Sequence, residues 1–497
     1  MYGEIQNHHD ETMKDSKASR ILALLAASAA VIVAVAALQL WLAWKPAVEV
    51  SARLPGGDGR PEDASTADLE TDLSGTFQTF SGSSSDLPGV WPRFRGPDFD
   101  NIYKQEYALT DSFGEDGPQV LWSVELGEGH AAPAVLNGRV YLLDYDETAR
   151  ADAIRCFSLE DGREIWRHSY PVSIKRNHGL SRTIPAVTDE FIVTIGPRCH
   201  VVCLDASEGT FRWGISMQGE YGTTEPLWYT GQCPMIDNGL AILAPAGPDV
   251  LLTAIDCATG EPVWETPNPN GWDMSHSSII PMTFEGTRMF VYAAVGGITG
   301  VAADGSDAGA ILWEIPWDAN VVAPSPVPLD NGKILFTAGY GNGSRMVQLT
   351  RQNDAFAAEV LFEREPTEWL ACEQQTAIYY DGLLHAIMPK DAGALRGQFV
   401  CYDPEGSLVW SSGQASRFGL GPYILADGKF YVLSDDGILT VIEQSREQYI
   451  PLDEVRVLDG QDAWGPIAIA GTRMLLRDST RMVCIEASAT PKEQAGP

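Results

Sequence analysis

Basic residues are scarce in this chain. Its 497 residues carry 34 Lys and Arg against 67 Asp and Glu, a net charge of −33. A surface that acidic repels nucleic acid and anionic lipid, which argues against a nucleic-acid-binding role. It favours solubility and, more weakly, cationic partners or metal ions; a solvated acidic surface with no specific partner is the simpler reading. Catalytic signatures are missing too. No His-x-His, His-Glu-x-x-His or calcium-loop pattern marks a metal site, and no Gly-x-Ser-x-Gly marks a hydrolase.

Glycine and proline are plentiful, at 48 and 31 residues, and they favour a turn-dense β fold. The glycines are also ordered. Gly162-Arg-Glu-Ile-Trp166, Gly209-Thr-Phe-Arg-Trp213, Gly260-Glu-Pro-Val-Trp264, Gly309-Ala-Ile-Leu-Trp313 and Gly406-Ser-Leu-Val-Trp410 share one pattern. Successive tryptophans lie 47, 51, 49 and 97 residues apart, the last gap holding a degraded copy at Val360-Leu-Phe362. A period of about 48 is too long for a heptad and right for a propeller blade. Turn pairs such as Asn137-Gly138 and Asp427-Gly428 separate apolar runs, as hairpins require.

First strands begin near His130, Arg182, Gln232, His276, Ala323, Cys372, Gly419 and Trp464, which gives eight units. The last unit, Trp464 to Ala487, stops one strand short. An isolated tryptophan strand, Gly117-Pro-Gln-Val-Leu-Trp122, precedes the first unit. Pairing Val120–Trp122 with Met482–Cys484 would complete the last blade and leave no open edge there. The expected fold is all-β, an eight-bladed propeller over residues 90–487, with a disordered tail at 488–497.

Residues 21–44 are uncharged and rich in Ala, Leu and Val. That length suffices to span a bilayer and exceeds the apolar core of a cleaved signal peptide, and no lipid-attachment cysteine follows it. Lys14, Lys17 and Arg20 lie ahead of it and only Lys45 closely behind, so the N-terminus is expected in the cytoplasm. The domain order is then a cytoplasmic tail at 1–20, a signal-anchor helix at 21–44, and a flexible acidic Ser/Gly/Pro linker at 45–89. The propeller is expected outside the cytoplasmic membrane of a bacterium, in the periplasm or beyond.

Leu204-Asp-Ala-Ser-Glu-Gly-Thr-Phe-Arg-Trp213 and Ile255-Asp-Cys-Ala-Thr-Gly-Glu-Pro-Val-Trp264 resemble the repeat of the pyrroloquinoline quinone (PQQ)-like propellers. The resemblance runs from about Trp91 to Ala487, and Trp91-Pro-Arg-Phe-Arg-Gly-Pro97 is similar to the start of many extracytoplasmic members. The family holds eight-bladed quinoprotein alcohol dehydrogenases and also non-catalytic propellers such as an outer-membrane assembly lipoprotein. It implies a fold more firmly than a function. Its dehydrogenases hold PQQ over the central funnel with calcium and an Asp base, often beside a disulfide between adjacent cysteines. This chain has no Cys-Cys dipeptide, no Cys-x-x-Cys-His haem motif, and no match to the calcium-ligand set. The resemblance therefore implies the non-catalytic branch, a binding or scaffolding module with no cofactor; the alternative is an oxidoreductase with an altered site using PQQ and calcium.

Eight cysteines outside the cytoplasm suggest disulfides, but the register argues for packing, with Cys401 and Cys484 in strands comparable to those of Cys156 and Cys203. Cys156 and Cys203 stand six residues before Gly162 and Gly209, where Ala254 stands in the next repeat, so small buried thiols are expected at Cys156, Cys203 and Cys401. In a propeller the first strand of each blade lines the axis, and its starting residues converge on one funnel. These are His130, Arg182, Gln232, His276, Glu373, Gln374 and Trp464, with Arg176, His178, Glu225, Trp228, Trp272 and Asp273 from preceding loops. Such a set suits a polar ligand, an envelope protein partner or a metal ion, and equally a hydrated polar channel. A monomeric propeller is expected.

Overall fold

The structure, a computed structural model, describes residues 24–25, 27–39, 71–175, 179–353 and 355–489. Residues 24–25 and 27–39 are helical, and their Leu24, Leu25, Val31, Ile32 and Val33 side chains are exposed. No described helix is long and apolar enough to cross a membrane. The flanks of the expected 21–44 span lie outside the described residues, as do the 1–20 tail and most of 488–497.

From residue 71 the chain forms eight antiparallel sheets of four core strands each. Their innermost strands are Ala134–Leu136, Ala186–Val187, Met235–Asp237, Ile280–Phe284, Val327–Pro328, Ile378–Tyr380, Tyr423–Ala426 and Ala468–Ala470, defining blades 1 to 8 in that order. The repeat pattern has a steric cause. Gly209 has φ +71°, open to glycine at little cost, and a Cβ there would stand 2.5 Å from the Trp166 indole of blade 1. Gly162 meets Trp122 of blade 8 in the same way, at 2.6 Å. Gly162, Gly209, Gly260 and Gly309 are thus flat seats for the preceding blade's tryptophan, whereas a Cβ at Gly406 would lie 3.9 Å from Trp369. Several indoles are also pinned across the interface: Trp122 donates to the Leu159 carbonyl at 3.0 Å and Trp213 to that of Cys257 at 2.9 Å.

The ring closes as the stray tryptophan strand implies. Val120–Glu125 is the outer strand of blade 8, antiparallel to Arg481–Glu486, with Trp122 opposite Cys484. All eight cysteines are free and buried. Alternation places one face of each strand in the interblade core, where Val140, Leu142, Phe157, Ile469 and Leu475 are fully covered.

The expected linker at 45–89 is wrong over its last part. Thr76–Thr79 pairs with Glu164–Pro171 as a fifth strand on the outer edge of blade 1. Leu73 is 8% exposed in the interblade core, and its carbonyl meets His168 Nε2 at 3.0 Å. A Ser/Gly-rich composition suggests a free tether. Here the small residues instead permit close backbone contact: Phe80 N–H donates to Ile165 O and Gly82 N–H to Glu164 O, both at 2.9 Å.

The chain then crosses beneath the ring. Trp91 bridges Val135 of blade 1, the Pro92 carbonyl accepts from Val187 N–H of blade 2 at 2.9 Å, and Arg93 donates to Ile236 O of blade 3 at 3.3 Å. Buried Arg95 donates to Thr376 O and Ala377 O of blade 6, both at 3.0 Å. Ile102–Tyr103 then adds, in parallel, to the inner strand of blade 7. These contacts lie where inner strands run toward their hairpin turns, so residues 91–103 plug that end of the channel.

Candidate functional site: the channel mouth

The opposite end of the channel is open and holds a cavity of about 290 Å³ with Phe94 of the plug among its walls. Two layers of inner-strand residues face it. The deeper one is tied by a hydrogen-bonded girdle. Ile184 N–H donates to Cys233 Sγ (3.3 Å), Cys233 N–H to Ser278 Oγ (3.0 Å), Ser278 N–H to Ser325 Oγ (3.0 Å), and Ser325 N–H to Thr376 Oγ1 (2.9 Å). Five successive blades are linked by one small polar residue at one register position. These bonds satisfy backbone donors that the short inner strands leave without a ladder partner.

The outer layer lies two residues earlier on each strand and carries His130, Arg182, His276, Gln374 and Trp464. Glu373 and Trp228 also line the cavity. The His130 and Trp464 ring centres are 4.9 Å apart. Trp464 is held by Asp435, whose Oδ1 accepts from its indole N–H at 2.8 Å and from Leu420 N–H at 2.7 Å. Burial raises the Asp435 carboxyl above its usual range, and these bonds partly oppose the shift.

Trp228 forms the far wall. Its ring stacks on Tyr340 with centres 5.5 Å apart, and on His276 at 6.3 Å. Trp228, Tyr229 and Tyr340 all have left-handed backbones, with φ 63°, 71° and 59°. Bulky residues there cost about 1–3 kcal/mol each and persist only where their surroundings hold them. The holding groups are clear. Tyr229 hydroxyl donates to Lys175 O at 2.8 Å and accepts its N–H at 3.1 Å. Glu225 is paired with Arg198 at 2.6 Å, both almost fully buried. Lys390 Nζ lies 4.4 Å from the centre of the Tyr340 ring and 2.8 Å from Glu373 Oε1.

The mouth runs against the protein's overall charge. Arg182 and Lys390 face one carboxylate, Glu373, within a molecule of net charge −33. Burial lowers Arg182 to about 10, which leaves it a cation at neutral pH. Burial and then the Arg182 charge lower His276 to about 3, so its imidazole is neutral. Lys390 is raised: burial opposes its charge, but the Glu373 hydrogen bond and charge outweigh it.

Seven expected positions meet here: His130, Arg182, His276, Glu373, Gln374, Trp464 and Trp228. Four do not. Gln232 is fully buried inside blade 3, accepting Ala244 N–H at 3.1 Å and donating to Tyr292 Oη at 3.3 Å. It sits one residue from channel-facing Gly231, and strand alternation turns it inward. Trp272 packs on Gly296 of blade 4, and Asp273 bridges Val295 by backbone. Glu225 is consumed by Arg198. Arg176 and His178 lie outside the described residues. Sequence reasoning missed Tyr340, Lys390 and Phe94. The first two come from the turn joining the second and third strands of a blade, and Phe94 from the plug. A rule built on first-strand starts has no access to either place.

A family model described as "Outer membrane protein assembly factor BamB" matches residues 150–365. No curated protein matches the sequence. Among solved structures, a europium-containing methanol dehydrogenase is similar at 13% identity and TM-score 0.56, over 78% of this chain and 89% of its own. The quinohemoprotein alcohol dehydrogenase ADHIIG of Pseudomonas putida HK5 is similar at 14% and 0.55, over 83% and 82%. BamB of Moraxella catarrhalis is similar at 12% and 0.49, over 74% and 99%. Identities this low speak for the fold alone. The sheet order shows an eight-bladed propeller, and within it residues 150–365 match that family model.

Proposed function

We propose that this protein is a binding propeller, anchored in a bacterial cytoplasmic membrane by residues 21–44 and displayed outside the cytoplasm, that captures a small anionic ligand in its channel mouth. The observation that carries this is a cationic, aromatic-walled cavity in a strongly acidic molecule, held open by strained Trp228 and Tyr340. The acidic outer surface attracts cations and repels anions at long range, so the local cationic field of the mouth is what would draw an anion in at short range. The helix at 27–39 exposes its apolar side chains, which suits an apolar surrounding.

The test is tryptophan fluorescence of the full-length protein in detergent, titrated with phthalate as a planar anion and benzyltrimethylammonium as its cationic control. Phthalate shifts the emission saturably, the cation does not, and Arg182→Gln removes the response. Equal responses to both probes, or none, overturn the reading.

A second reading is a quinoprotein oxidoreductase using PQQ and calcium, favoured by Trp228 and Trp464 as flat faces in the mouth. Calcium takes about six to eight oxygen ligands. Glu373 is the one carboxylate lining the cavity and it already binds Lys390, a poor start for such a site. No group of three or more His, Cys, Asp or Glu suited to a metal occurs among the described residues. Calcium-dependent PQQ uptake with alcohol-dependent dye reduction, lost in Trp464→Ala, favours this reading over the first.

A further inference from the structure

One repeat position recurs as cysteine. Cys156, Cys203, Cys401 and Cys484 each stand opposite the tryptophan of their own blade, on the third strand: Cys156 faces Trp166, Cys203 faces Trp213, Cys401 faces Trp410 and Cys484 faces Trp122. That tryptophan reaches across to the next blade. Trp122 meets the Leu159 carbonyl, Trp213 that of Cys257, and Trp410 that of Ser445. In blade 2 the residue matching Cys257 is Ala206. Four cysteines therefore look across an interblade seam. At the seam between blades 2 and 3 alone does the receiving position also carry a thiol.

Contact follows from that register. Cys203 Sγ lies 3.6 Å from the Cys257 carbonyl oxygen, and both cysteines are fully buried in one cluster. We propose that Cys203 and Cys257 form a closable dithiol, reduced in this structure, which becomes an interblade disulfide when a disulfide oxidant reaches the seam.

The step balances as thiol–disulfide exchange. The Cys203 thiolate attacks one sulfur of the oxidant and expels one thiolate, leaving a mixed disulfide. The Cys257 thiolate then attacks the Cys203 sulfur, forms the protein disulfide and expels the second thiolate. Two protein thiols are oxidised, the oxidant is reduced to two thiols, and the two protons go to the released thiolates. The neighbouring thiol, and then burial, push Cys203 far above the usual thiol range, so the closed seam resists attack. Closure needs a local opening of the seam, or an oxidant present before the blades dock. An oxidising compartment outside the cytoplasm supplies that second route. The bond would fasten two blades that are otherwise joined by packing, the Trp213 hydrogen bond and the Ile184–Cys233 bond of the channel girdle.

The experiment holds the full-length reduced protein with oxidised glutathione, in urea below its unfolding transition. Thiols are then alkylated in denaturant without reductant and mapped by peptide mass. The expected result is joint protection of Cys203 and Cys257, one linked peptide pair about 2 Da lighter than the sum of its reduced halves, and a higher unfolding midpoint reversed by dithiothreitol. In Cys257→Ala, Cys203 should stop at the glutathione adduct; Cys203→Ala is the reciprocal variant if the first folds poorly. Full alkylation of both residues, a persistent glutathione adduct in the unmutated protein, or linkage to any other cysteine overturns the proposal.

Discussion

Buried histidines shape how the protein responds to acid, with burial lowering His168 as well as His276 and His385. His276 is lowered to about 3 by burial and then by Arg182, and His385 to about 4 by burial. In the unfolded chain both titrate near 6.5. As pH falls below 6.5 the unfolded state takes up protons that the native state refuses, so stability falls with pH from about 6.5 toward 3–4 and is fully present above 6.5. At pH 5 each histidine costs about 2 kcal/mol relative to pH 8 by this linkage. His385→Leu should therefore flatten the drop in urea midpoint between pH 8 and pH 5, and an unchanged drop shows that His385 is protonated in the native state. At the same scale, Cys156 and Cys401 should alkylate in denaturant without reductant, since each is buried beside no second thiol of the kind found at Cys203. Protection until reductant is added contradicts this.

Single residues also show what the sequence carried. Strand order let His130, Arg182, His276 and Trp464 be read as channel residues, because residue parity fixes which side chains face the axis. Gln232 failed by that same parity, one position off. Tyr340 and Lys390 were illegible because their turns reach the mouth only after three-dimensional closure.

Among elements, the glycine–tryptophan repeat makes a sharp prediction. Gly209→Ala meets two penalties, a left-handed backbone and a Cβ 2.5 Å from the Trp166 ring. Gly239→Ala meets only the first, since φ is +78° and nothing lies within 4 Å of its Cβ position. Gly209→Ala should cost about 2 kcal/mol or more beyond Gly239→Ala in denaturant unfolding; equal costs mean the indole seat yields freely. The blades were legible because this seat needs glycine and tryptophan at fixed spacing. The strand Thr76–Thr79 was not, because Ser-rich, Gly-rich sequence reads alike whether it is free or laid along a sheet edge. Leu73→Ala tests the point: the buried side chain predicts a loss of about 2 kcal/mol, whereas a free tether predicts none.

Across the whole molecule, closure depends on residues far apart in sequence. Trp122 of the last blade must meet Cys484, and the plug at 91–103 must meet blades 1, 2, 3, 6 and 7. Contacts of such range slow folding. A chain ending at residue 480 lacks the strand that pairs with Val120–Glu125 and should show no cooperative unfolding transition by circular dichroism. A cooperative transition in that truncation means seven blades suffice.

The strand Thr76–Thr79 has a mechanical meaning. A pull arriving from the N-terminal side would load buried Leu73 and then a four-residue strand on the rim of blade 1, paired with Glu164–Pro171. Beyond it come the Phe80 and Gly82 bonds to blade 1, then Trp91 at Val135 and Arg95 under blade 6. The strand is thus a fuse ahead of the plug, and tension that passed it would reach the cavity wall directly through Phe94.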